Sequence, residues 1–132
     1  MSSISGLEND RLIELLMEGA SGVYLHEAAV RLIARYGYWL HDESFRSFLV
    51  PYGEPPEAIG IRWEDAVAAL DRGEIVADDE ETKVLRIAAS IATFYRISLR
   101  DCVEGLDAST VKHVTEAIMY ADGYLSSTAH PA

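Results

Sequence analysis

The feature that most constrains this chain is the spacing of its apolar residues, which recur at three- and four-residue steps almost throughout, with little alternation of period two. Leu25, Ala28, Ala29, Leu32, Ile33 and Tyr36 fall at i, i+3, i+4, i+7, i+8 and i+11, a single stripe along one helix face. Opposite that stripe lie Glu27, Arg31 and Arg35 at steps of four, a spacing that lets neighbouring charges pair along the helix. Asn9 is placed to cap an earlier helix carrying Leu12, Leu15 and Leu16 and stopping near Gly19 or Gly22. Asp42 is placed to cap a short third helix with Phe45, Phe48 and Leu49. Glu80–Tyr95 is apolar around most of its circumference, with only Lys83, Arg86, Ser90 and Thr93 as a polar strip, and this predicts a central position. The expected fold is all-α, a compact bundle of six or seven helices forming one domain over residues 1–132. Residues 1–7 and 126–132 are small and polar and are expected to be disordered ends.

One segment breaks the pattern. Residues 51–56, Pro-Tyr-Gly-Glu-Pro-Pro, cannot be helical and read as a rigid proline-rich connector between helical subregions. Beyond it, Ile61–Asp71 aligns with Ile97–Asp107 at an offset of 36, with five of eleven positions identical. Each copy leads into a longer helix, Glu80–Tyr95 and Ala108–Ala121, where Val84, Ile87 and Ile91 match Val111, Val114 and Ile118. The C-terminal half is thus expected to hold two similar helix-turn-helix hairpins that share a core. Ser98 with Asp101 has the spacing of a capping box, and Gly73 and Gly123 mark helix ends.

Eleven Lys and Arg against 22 Asp and Glu give a net charge of −11, spread through both halves. A field of that sign disfavours nucleic acid and anionic membranes and favours a basic protein partner, besides keeping the chain soluble. No stretch is long and apolar enough to span a bilayer, and no secretory signal pattern opens the chain, so a cytoplasmic setting is expected.

The chemistry-bearing residues form no motif. Asp71, Glu74, Asp78, Asp79, Glu80 and Glu81 lack the alternation and the mid-loop glycine of a calcium loop, and their position suits a helix N-terminus. His26, His41, His113 and His130 are scattered, and His113 with Glu116 has no second pair to face it, so no metal is expected. Cys102 sits among Leu99, Val103 and Leu106, where a thiol acts as a small core residue. No nucleophile elbow or phosphate- or dinucleotide-binding glycine loop occurs, so no catalytic residue or cofactor is predicted.

Leu99–Val114 resembles a helix-turn-helix, with Gly105 at the turn, Leu106 after it and Val111 in the second helix. It departs from that pattern at Asp101, where a small buried residue belongs, and the overall charge is opposite to that of a DNA reader. Six of the twelve aromatics lie from Tyr36 to Tyr52, where Tyr36, Phe45 and Phe48 suit a core and Tyr38, Trp39 and Tyr52 suit exposed anchors. The sequence reading is therefore a protein-interaction module of the adaptor, inhibitor or immunity type. Its expected contact residues are Tyr38, Trp39, Tyr52, Asp78, Asp79 and Glu80. The alternatives are an acidic mimic of nucleic acid and a DNA-binding regulator with a local basic patch around Lys112. Leftover apolar helix faces leave room for a homodimer.

Overall fold

The computed structural model describes residue 4 and residues 6–124. Among them the chain forms seven α-helices and one two-stranded hairpin: α1 (Asn9–Ala20), α2 (Tyr24–Tyr36), α3 (Glu43–Arg46), β1 (Leu49–Tyr52), β2 (Ala58–Ile61), α4 (Trp63–Asp71), α5 (Asp79–Ala92), α6 (Leu99–Val103) and α7 (Ala108–Ala121). A 3-10 turn, Trp39–His41, joins α2 to α3. The mostly helical bundle follows from the periodicity. Of the expected disordered ends, residues 1–3, 5 and 126–132 lie outside the described residues, whereas Ile4 is buried in the core.

Helices α2 and α5 form the central pair. The α2 stripe buries Ala28, Ala29, Leu32 and Ile33, with Val30 beside it, while Leu25 at its N-terminal end stays exposed. The small alanines let α5 come close, and large side chains such as Leu32 and Ile33 each contribute roughly 1.5–3 kcal/mol by leaving water. In α5, Val84, Leu85, Ile87, Ala88, Ala89 and Ala92 are buried. Helix α2 also packs against α1 and α7, and α5 also packs against α4, α6 and α7.

The charged side of α2, spaced for pairing along the helix, packs against α7 instead. Glu27 accepts a hydrogen bond from Tyr120 Oη at 3.0 Å, Arg31 stacks over the Tyr120 ring at 4.6 Å, and Arg35 lies 3.6 Å from Glu116. Glu27, Arg31 and Arg35 therefore bind the next helix layer and do not pair along their own helix.

The proline-rich segment is the second departure. Residues 51–56 enter the turn of an antiparallel hairpin in which Leu49 faces Ile61, Val50 faces Gly60, Pro51 faces Ile59 and Tyr52 faces Ala58. Pro51 is tolerated because β1 is an edge strand. Glu57 N–H closes the turn onto the Tyr52 carbonyl at 2.7 Å. Ile59 is buried as β2 lies along α1. That contact depends on Gly19, where a Cβ would sit 2.2 Å from the Ile59 carbonyl oxygen. Only a bare Cα lets the helix backbone lie flush on the strand.

Cap chemistry explains three helix starts. Asp42 accepts from Phe45 N–H at 2.9 Å, as expected from the sequence. Asp78 and Glu81 form a reciprocal capping box at 2.8 and 2.9 Å, and Ser98 accepts from Asp101 N–H at 3.2 Å. Asn9 is not a cap. The cap position of α1 is Glu8, and Asn9 is the first helical residue, with its Oδ1 buried and unpartnered among the described residues.

Candidate interaction surface

The residues singled out in the sequence do not come together as one surface. Trp39 is fully buried: its ring meets Tyr38 edge-on at 4.9 Å and Phe45 at 5.6 Å. Its indole N–H donates to the Glu81 carbonyl at 2.9 Å. An indole with its one polar atom satisfied belongs in a core, so Trp39 is no exposed anchor. Tyr38 is half-buried, and burial beside Glu81 and Asp42 pushes its hydroxyl pKa up. Tyr52 is exposed on the hairpin, folded over Gly60.

The acidic cluster is mostly occupied with holding α5. Asp78 and Glu81 cap it, and Asp79 pairs with Lys83 at 2.9 Å. Glu80 is half-buried and joins three elements, accepting from Tyr36 Oη at 3.2 Å and from Asp107 N–H at 2.7 Å. Burial first, then the hydrogen bond to Glu80, drives the Tyr36 hydroxyl pKa far above its ordinary value. Glu80 thus ties α2 to the start of α7.

A different surface emerges from the two aligned hairpins. In the first, α4 buries Trp63, Ala66, Val67 and Leu70, and α5 buries Val84 and Ile87. In the second, the matching stripe is split: Cys102 and Val114 stay buried and Leu106 half-buried, while four positions are uncovered. Leu99, at the position of Trp63, is 60% exposed, and Val103 is 43% exposed where Val67 is 2% exposed. Val111 is 46% exposed where Val84 is fully buried, and Ile118 is also exposed. Phe94, just ahead of α6, is 97% exposed.

The cause is a roll of the last helix. α7 buries Thr110, Val114, Ala117 and Tyr120. At the offset of 27 these correspond to Lys83, Ile87 and Ser90 of α5 and to Thr93 at its C-cap, so the buried faces coincide only at Ile87 and Val114. The strip that is polar in α5 has become the packed face of α7, and the original stripe points outward. Lys112 is exposed on the same helix. Arg96 and Arg100 precede it, but Asp101, Glu104 and Asp107 are exposed beside them, so the cations stand among carboxylates.

Sequence reasoning missed this surface because each stripe looks like core by itself. The signal was the run Thr110, Val114, Ala117, Tyr120, a second apolar line on α7 that competes with Val111 and Ile118.

The other candidates are separate. His26, Arg62, Glu64, Asp65 and Thr93 line a cleft of about 350 Å³, with Ile61 and Trp63 at its apolar side. Within it Asp65 pairs with Arg62 at 3.4 Å. Among the described residues no group of three His, Cys, Asp or Glu side chains converges as metal ligands. His41 is exposed, and His113 is half-buried with its Nδ1 unpartnered among the described residues; His130 lies outside them. Cys102 is buried, and burial pushes its thiol pKa up, away from the reactive thiolate. No described helix is long and apolar enough to cross a membrane. Compared with protein-family models, curated proteins and solved structures, the chain matches none.

Proposed function

We propose that this chain is a cytoplasmic protein-interaction module, of the adaptor, inhibitor or immunity-partner type, and that it docks its partner on α6–α7. The observation that carries the reading is the exposure of Leu99 and Val103 on α6 and of Val111 and Ile118 on α7, two helices anchored to the core through Cys102 and Val114. Exposed apolar residues repeated along one face of a helix are costly to leave in water and mark contact surfaces. The partner that fits is a protein with an apolar ridge edged by Lys or Arg. The ridge covers the stripe, while Asp101, Glu104 and Asp107 and the net charge of −11 favour the basic edge. Of the expected contact residues Tyr52, Asp78 and Asp79 are exposed, Asp78 while capping α5 and Asp79 while paired with Lys83.

Parallel capture from the native host with the wild-type chain and a Leu99→Lys/Val103→Lys variant tests this. The expected result is a basic protein retained by the wild type, lost with the variant, and bound again when both are purified and mixed. Equal retention by the folded variant would remove α6–α7 as the docking face. A concentration-dependent dimer of the purified wild type, abolished in the variant, would assign the face to a second copy instead.

A further inference from the structure

We propose that the groove between α1 and α2 is a binding site for a small monocarboxylate with a short apolar body. Ile13 and Met17 from α1, and Ala34, Arg31 and Arg35 from α2, line a groove of about 300 Å³. This inference is independent of the α6–α7 surface.

Two guanidiniums four residues apart are unexpected in so acidic a chain unless carboxylates neutralise them. Arg31 is not paired with one. The oxygens of Glu27, the acid one turn before it, accept instead from two neutral donors, Gly22 N–H at 3.1 Å and Tyr120 Oη at 3.0 Å. Glu14, next to Ile13 on α1, pairs with Arg11 at 2.9 Å. Among the described residues Arg31 has no ion-pair partner; it is held by its stack on Tyr120, 4.6 Å from the ring centre. Stacking uses the face of the guanidinium and leaves its edge donors free for a bidentate acceptor. Arg35 lies 3.6 Å from Glu116, its ion-pair partner among the described residues.

The free edge sets the ligand. Arg31 brings to the groove a guanidinium edge with no ion-pair partner among the described residues, and one such edge takes one carboxylate head. Ile13, Met17 and Ala34 then offer apolar wall to the rest of the molecule, and they are half-buried. The volume lies at the small end of ligand pockets, which fits a short chain or one ring and excludes a lipid.

The probes are hexanoate, hexanol and hexylamine, titrated into the intact protein and followed by the Met17 and Ile13 methyl signals and the Arg31 and Arg35 Nε–H signals. Hexanoate is expected to shift all four saturably, while hexanol and hexylamine do not. Arg31→Gln should weaken hexanoate at least about fivefold, as should Arg35→Gln, whereas Arg100→Gln should not. Because Arg31→Gln removes the Tyr120 stack and could disturb folding, a second measurement uses the wild type alone. Its affinity for hexanoate should fall as salt rises from about 0.02 to about 0.3 M. Equal shifts with hexanol, no saturation, or indifference to both salt and the two arginine substitutions would overturn the site.

Discussion

The two aligned hairpins begin from nearly the same pattern and end in opposite environments. In α4–α5 the stripe is the middle of the core, and in α6–α7 four of its equivalents, Leu99, Val103, Val111 and Ile118, are exposed. The difference lies in what each long helix meets. α5 packs against α2, α4, α6 and α7, whereas the main contact of α7 is α2, whose available face carries Glu27, Arg31 and Arg35. A polar line calls for a polar-tipped partner, so Tyr120 with its hydroxyl turns inward and Val111 turns out. Apolar periodicity identifies a helix and its greasy face; the neighbour decides whether that face is covered.

Matched substitutions break the comparison if it is wrong. Val67→Asp buries a charge in the core and should cost more than about 4 kcal/mol, enough to unfold the domain, while Val103→Asp should change stability by less than about 1 kcal/mol in denaturant titrations. Equal costs would mean that Val103 is core after all. Val84→Ala, at a fully buried site, should lose about 2 kcal/mol, against less than about 0.5 kcal/mol for Val111→Ala, where the better helix propensity of alanine offsets the lost contact.

The caps sharpen the contrast at smaller scale. Asp78→Ala dismantles a reciprocal box on the 14-residue α5 and should cost about 1–2 kcal/mol. Ser98→Ala removes one 3.2 Å hydrogen bond from the five-residue α6 and should cost about 0.5 kcal/mol.

The smallest effect at neutral pH concerns two tyrosines. Tyr36 and Tyr120 both have raised pKa values, through burial and then through hydrogen bonds to Glu80 and Glu27. Each folded-state value lies above the unfolded one, so the stabilisation is full below about pH 10 and is lost as pH rises toward the folded value. Stability should therefore fall on alkaline titration. Tyr36→Phe should flatten that fall more than Tyr120→Phe, since the Tyr36 shift is the larger; unchanged curves for both would refute the linkage.

What the sequence made legible was local. The Asp42 cap, the central α5 and the Ala28–Ile33 stripe each depend on residues within a few turns of one another. Trp39 was not legible, because the atom that satisfies its indole is a carbonyl 42 residues away. The hairpin escaped because strands of four residues, one with a proline, are too short to display alternation. Of the surface, only the individual apolar residues could be seen; their exposure depends on the roll of a helix around an axis that no local pattern sets.

The seating of α2 between its neighbours has a consequence for synthesis. Tyr120 reaches Glu27 across 93 residues, so α2 leaves the ribosome long before the helix that covers its charged side. Until α7 emerges, Arg31 and Arg35 have neither the Tyr120 ring nor Glu116 beside them. The nascent chain therefore carries, for a time, a pair of loose cations that the finished protein holds in place.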